Sequence, residues 1–323
     1  MINLIIQLGR IGDMVLMTPL FRTIKEKYPD AEIDVLASRR NFNVIQNNPR
    51  LNRIIVYEKS PLKFLKSIKE IRQKEYDYLI DPKDHYSRES RILARYVKAK
   101  KKIGFNPDGM ALYDISIPSD KDNAGLHCIQ RFINSLKSLS ISISGSIHKP
   151  ELFTTTDSDE YVRRFLNEHN LNSFILINIS ATSEDRMFSI PKWIDILADY
   201  KTQKNLVIIF APDEKVAAQQ ISELLPNLIL FSTRSINDVI SITKKASMLI
   251  TVDTALVHFA SAFNTPILSF HVGNEEQVKK YYPLSDVAIV MKSSSPESGI
   301  ESINTGEIKY SLTKFLSINQ NSD

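Results

Sequence analysis

The chain has 323 residues, 43% hydrophobic and 24% charged, with a net charge of +4. That length suits two ordinary globular domains, and so mild a positive excess is no nucleic-acid signature. One cysteine, Cys128, excludes an intrachain disulfide and a cysteine metal cluster, and it fits a reducing cytoplasm with the thiol as packing.

In chain order, residues 2–8 are an apolar run with β-branched Ile, the pattern of a buried parallel strand. The chain enters this strand directly, without room for a signal peptide. Gly9 and Gly12 open a tight turn with space for a ligand. Helical spacing follows at Met14, Met17, Leu20, Phe21, Ile24 and Tyr28, predicting a helix over 12–28 that Pro19 should kink. Strands are expected at 31–37, 52–57, 76–81 and 102–105, and helices at 41–47, 61–75, 86–98 and 123–139. Such alternation means a parallel, doubly wound sheet.

The Ser-rich run 140–146, Pro150 and Thr154–Thr156 break the pattern and read as a linker. Alternation then resumes. Helices are expected at 157–169, 190–203, 213–224, 235–246 and 254–264, with strands at 173–179, 205–211, 227–231, 248–252 and 266–270. Residues 293–303 read as a loop, 304–317 as a last helix, and the end should fray. The division is therefore a first domain over 1–145, a linker over 146–156, a second domain over 157–303, and a C-terminal helix and tail over 304–323. No apolar run reaches the roughly 18 residues of a spanning helix.

Several residues stand where such sheets do chemistry. Asp13 falls at the carboxyl edge of the first strand and the mouth of a helix, where open α/β sheets bind ligands. It either caps that helix or acts as a general base. Asp253, Thr254 and His258 follow the strand 248–252 and open another helix, whose free N–H groups and dipole suit a phosphate. Thr254 is the expected N-cap, and His258, four residues on, shares its face. Arg186 follows the strand 173–179 in a polar loop with Thr182 and Ser183. Glu214 follows the strand 205–211, where an acid also favours a helix start. Lys59, Lys63 and Lys66 crowd the helix 61–75; a solvated face is their plain reading, and a basic patch also suits an anionic membrane surface. There is no Walker A run, dinucleotide fingerprint, serine elbow or metal-ligand spacing.

Together these blocks carry a resemblance. Leu8-Gly9-Arg10-Ile11-Gly12-Asp13 through Thr18-Pro19 is similar to the opening of glycosyltransferase family 9, the heptosyltransferases of lipopolysaccharide synthesis. Val252-Asp253-Thr254-Ala255-Leu256-Val257-His258 with Thr265-Pro266 resembles its Asp-Thr-Gly-x-x-His signature, with Ala255 in place of Gly. Ser180-Ala181-Thr182-Ser183, Arg186, Pro191 and Trp193 resemble its phosphate-side loop, the usual Lys/Arg-Trp-Pro being blurred into Arg186-Met187-Phe188-Ser189.

The resemblance implies an α/β protein of GT-B fold, two Rossmann-like doubly wound domains facing across a cleft. It implies an inverting transfer of heptose from ADP-heptose to a sugar hydroxyl of a lipopolysaccharide core or related glycan. Asp13 would be the base and Arg186 the cation at the departing diphosphate. Gly12, Thr182, Ser183, Glu214, Asp253, Thr254, Ala255 and His258 would hold the donor, and Lys59, Lys63 and Lys66 an anionic glycolipid acceptor. Neither metal nor cofactor is expected, nor nucleic acid, and the location would be cytoplasmic, with peripheral contact at the inner membrane. Two alternatives stay open: another nucleotide sugar as donor, or a catalytically silent nucleotide-sugar-binding or scaffold protein.

Overall fold

The computed structural model describes residues 1–139, 141, 148–200, 205–225 and 227–318. It divides into two compact units. Residues 1–153 and 279–281 form the first, and residues 154–278 with the chain from 282 onward form the second. Most of the Ser-rich segment 140–146 lies outside the described residues, as does the tail beyond 318.

The first unit is built on β1 (Ile2–Gln7), β2 (Glu32–Ser38), β3 (Arg53–Tyr57), β4 (Tyr76–Ile80), β5 (Ala99–Gly104) and the short β6 (Ile115–Ser116). All pairings are parallel, in the order β3-β2-β1-β4-β5-β6. The connecting helices are α1 (Ile11–Lys27), α2 (Pro61–Ile71), α3 (Arg88–Tyr96) and α4 (Cys128–Asn134). Leu4, Ile6, Leu36 and Leu79 fill one core of this unit with Ile71 and Leu93.

The second unit contains α5 (Thr156–Glu168), β7 (Ile175–Asn178), α6 (Ile190–Leu197), β8 (Leu206–Ile209), α7 (Lys215–Leu224), β9 (Leu228–Phe231), α8 (Ile236–Lys245) and β10 (Met248–Val252). It continues with α9 (Leu256–Phe263), β11 (Ile267–His271), α10 (Glu275–Lys280, whose last two residues count with the first unit), β12 (Ala288–Lys292) and α11 (Thr305–Ile318). Its sheet runs β12-β11-β10-β7-β8-β9, again all parallel. Numbered within its own unit, that order is 3-2-1-4-5-6 read from the other side, the same winding as the first sheet. Strand order reverses beside β1 in one unit and beside β7 in the other, and ligands of doubly wound sheets bind outside the carboxyl ends at that switch point.

Pro19 removes a hydrogen bond without ending the helix. α1 runs unbroken through Pro19, whose missing N–H would have faced the Val15 carbonyl. The Thr18 hydroxyl donates to that oxygen instead, at 2.7 Å, and accepts from the Glu151 N–H at 2.8 Å.

Other expectations need correction. The helix expected at 41–47 is a single 3-10 turn, Phe42–Val44. There the Asn41 side-chain amide donates to the Gln7 and Gly9 carbonyls, which holds the chain in a turn. The helix expected from 123 starts at Cys128, because Gly125 takes φ +77°. It ends at Asn134, before a 3-10 turn at Lys137–Leu139. α6 stops at Leu197 and continues as a 3-10 turn to Tyr200. β6, α10 and β12 were not anticipated: α10 is polar but for Val278, and β12 is a half-buried edge strand.

Candidate active site

In the first unit, Asp13 occupies the third position of α1, so the helix begins before it and Gly12 lies inside the first turn rather than in the preceding loop. Its Oδ2 accepts the Arg10 N–H at 3.1 Å, a capping contact. Asp13 therefore caps the helix, with a carboxylate that is only partly buried. Gly9 makes this possible. A Cβ on Gly9 would come within 2.6 Å of Asp13 Oδ2 and 2.9 Å of Gln7 Oε1. Gly9→Ala should therefore push the Asp13 carboxylate aside. Displacements of about 1 Å at a reacting group can cost about 100-fold, so turnover should fall by that order while the thermal midpoint changes little.

Across the switch point, β4 leads into a polar network that the sequence reading missed. Arg131 is buried and pairs with Asp84 at 3.1 Å and closely with Asp120. Lys280 reaches Asp120 at 2.8 Å, and Asn123 and His85 also meet Asp84. Burial pushes the Asp84 carboxyl up, but His85, Lys280 and Arg131 outweigh it and hold it below the usual range. Lys280 comes from the three-residue return of the chain into this unit, of which nothing in the sequence pattern gave sign. The Cys128 thiol and Tyr281 hydroxyl are pushed up mainly by burial, and the Asp13 charge adds to both. Asp13 thus borders this network.

Lys59, Lys63 and Lys66 lie at and along the start of α2, each beside a carboxylate. Lys59 meets Glu89 at 3.4 Å, Lys66 meets Glu70 at 3.7 Å, and Lys63 pairs closely with Glu58. α2 leaves the carboxyl end of β3, two strands from β1, or roughly 10 Å along the sheet edge from the Asp13 turn.

In the second unit the structure brings Arg186 and Asp253 together: Nη1 and Oδ2 are 3.0 Å apart. They come from loops after β7 and β10, the neighbouring strands at the switch point. Three devices hold the Arg186 loop. The Ser180 hydroxyl accepts the Ala211 N–H at 2.7 Å. Phe188 sinks into the core against Trp193 and Phe270, edge to face. Glu301 accepts from the Ser189 N–H and hydroxyl at 2.9 and 2.8 Å. The segment expected as a plain loop at 293–303 thus forms two 3-10 turns and braces Arg186. Gly299 there has φ +59°, and a Cβ on it would meet the Asp185 carbonyl at 3.1 Å.

Thr254 caps α9 from one position further out than expected; Ala255 is the N-cap residue. The Thr254 hydroxyl accepts the Leu256 N–H at 3.3 Å and the Asn178 amide at 3.4 Å. Asn178 also donates to the Thr251 hydroxyl and the Ser180 carbonyl, tying the β7 and β10 loops together. His258 is buried in the first turn of α9. Thr182 and Ser183 are exposed on the Arg186 loop, and Glu214 sits partly buried at the start of α7, beyond β8.

His271, at the end of β11, is a site residue that sequence reading missed. Its Nδ1 is 3.5 Å from Asp253 Oδ1, and its Nε2 is 2.9 Å from the Ser269 hydroxyl. Burial holds its pKa below the usual 6.5; Asp253 pulls the other way and Arg186 reinforces burial. The fold therefore binds the neutral ring, and an unfolded chain binds the proton first as pH falls. The stability this contributes is fully present above the unfolded value, near 6.5, and is lost as pH drops through the lower folded value. The margin in thermal midpoint of wild type over His271→Gln should narrow between pH 7.5 and 5.5. A margin that widens would mean a charged ring in the fold.

The site is a fixed cation, its carboxylate, a hydroxyl and a helix N-terminus, gathered at one switch point. That set can bind a diphosphate and stabilise charge on it. Residues 64–306 match the profile of glycosyltransferase family 9 (heptosyltransferase). The chain belongs to that family. It is a heptosyltransferase-like glycosyltransferase. It is 25% identical over 280 residues to lipopolysaccharide heptosyltransferase 3 of Escherichia coli K12, covering 80% of this chain and 78% of that one. It is 21% identical over 303 residues to the lipopolysaccharide core heptosyltransferase OpsX of Haemophilus influenzae, covering 90% and 85%. In fold it is similar to the family 9 glycosyltransferase of Veillonella parvula, with a TM-score of 0.83, 15% identity and coverage of 98% and 97%. E. coli heptosyltransferase WaaC with ADP gives 0.80, 15%, 98% and 100%. The architecture is that of the GT-B fold.

Proposed function

We propose that this family 9 enzyme transfers heptose from ADP-heptose to a sugar hydroxyl of a lipopolysaccharide core or related glycan, with inversion. The observation that carries the reading is the Arg186–Asp253 pair beside Thr254 at the switch point of the second sheet. The relatives support the substrates: proteins similar over most of their length bear lipopolysaccharide heptosyltransferase names, and one similar fold was solved with ADP.

In this reading the acceptor hydroxyl attacks the anomeric carbon and its proton passes to the Asp13 carboxylate. The bond from that carbon to the diphosphate oxygen breaks, and the electron pair leaves with ADP. A single displacement inverts the centre. Arg186 neutralises charge gathering on the departing diphosphate, with Thr182, Ser183, Thr254, His258 and the N-terminus of α9 as further donors. Glu214 takes the nucleoside, and Lys59, Lys63 and Lys66 meet the anionic acceptor through screened attraction. The enzyme works at the cytoplasmic face of the inner membrane.

The test is incubation with ADP-heptose and a heptose-deficient core acceptor. One ADP should be released per heptose added to the glycan. Because the cation is supplied by the protein, EDTA should leave the rate unchanged. Loss on chelation, restored by a divalent ion, would overturn the scheme, and turnover of a different nucleotide sugar alone would reassign the donor.

A further inference from the structure

α2 carries two exposed leucines that the transfer reaction does not use. Leu62 is 80% exposed and Leu65 62%. At helical spacing Leu62, Leu65, Lys66 and Lys69 share one side. The other side is pinned. Ser67 and Ile71 are buried, and Phe64 packs edge to face against Tyr57 and Tyr96. The helix cannot roll to hide its leucines without giving up that packing. Between Glu58 and Lys74, six Lys or Arg stand against two Glu, so this stretch alone carries an excess equal to the chain's net +4.

We propose that α2 docks the protein on an anionic lipid bilayer, with Leu62 and Leu65 dipping below the headgroups and Lys69 and Arg72 meeting their phosphates. A bilayer fits better than a protein partner. Two leucines rimmed by long cations form no groove and fall far short of the roughly 800 Å² per partner of a stable protein interface. Shallow insertion of an apolar stripe plus attraction of basic side chains is how interfacial helices hold to membranes. Among the described residues no helix is long and apolar enough to cross a membrane. The inference rests on the proposed function in one respect: a lipid-linked acceptor gives the docking a purpose. α2 leaves the same sheet edge as Asp13, so docking there would bring the Asp13 edge of the first unit to the bilayer surface.

The experiment is sedimentation of the full chain with vesicles of phosphatidylglycerol and phosphatidylcholine in equal parts, or of phosphatidylcholine alone, without donor or acceptor. The protein should bind the anionic vesicles, bind the neutral ones weakly, and lose binding as salt rises. Leu62→Ser with Leu65→Ser should lower partition by about tenfold. It should leave the melting temperature and transfer to a soluble, deacylated acceptor unchanged. Absence of wild-type binding, or binding undiminished in the double variant, overturns the proposal. So does a wild-type dimer in the ultracentrifuge that the double variant abolishes, since that assigns the face to a second copy. Failure of heptose transfer by wild type would sink the proposed function and leave the vesicle result standing.

Discussion

Asp13→Asn is expected to lower kcat by about three orders of magnitude while leaving ADP affinity near wild type, the range for loss of a positioned general base. Asparagine keeps the volume and keeps an oxygen that can accept the Arg10 N–H, so the cap at the start of α1 survives. What it loses is the capacity to take a proton. A cap without catalytic duty would give the opposite pattern, full turnover with a small change in melting temperature. Comparison with Gly9→Ala sharpens the reading, because that substitution moves the carboxylate without removing it. Its damage should be the lesser. If Asp13→Asn turns over its acceptor at the wild-type rate, the base lies elsewhere, and Asp84, across the switch point, becomes the first candidate.

The legible part of this protein was the part written in local pattern. β1, β2, β7, β10 and β11 are buried on both faces, and their apolar runs show it directly. The turn residues after them follow from the same pattern, which is why Asp13, Arg186 and the Asp253–His258 block could be placed at carboxyl ends in advance. The illegible part depends on contacts far apart in sequence. His271 falls just past the strand expected at 266–270, and only pairing of β10 with β11 sets it beside Asp253. Glu301 lies in a stretch without periodicity, yet its carboxylate anchors Ser189, over a hundred residues away. Lys280 closes a polar helix and belongs to the other unit. The blurred motif Arg186-Met187-Phe188-Ser189 looked eroded as text. In space Phe188 holds the loop in the aromatic core, so the position of Arg186 survives the change of spelling.

Arg186→Gln should cost about 100-fold to 1000-fold in kcat, the order seen when one preorganised group at a developing charge is removed. It should weaken ADP less, by about tenfold, because product charge is already formed and shared among several donors. Arg186→Lys should recover part of the rate, since it restores the charge but not the planar fork that Asp253 orients. A second readout separates a charge effect from a collapsed loop. Arg186 depresses the pKa of His271, while Asp253 raises it. Taking the guanidinium away leaves the carboxylate facing the ring unopposed, so the His271 titration, followed by imidazole NMR, should move upward in Arg186→Gln and return toward wild type in Arg186→Lys. A large loss of rate with an unmoved His271 titration would mean that the loop no longer holds its place, and that position rather than charge at residue 186 is what the reaction requires.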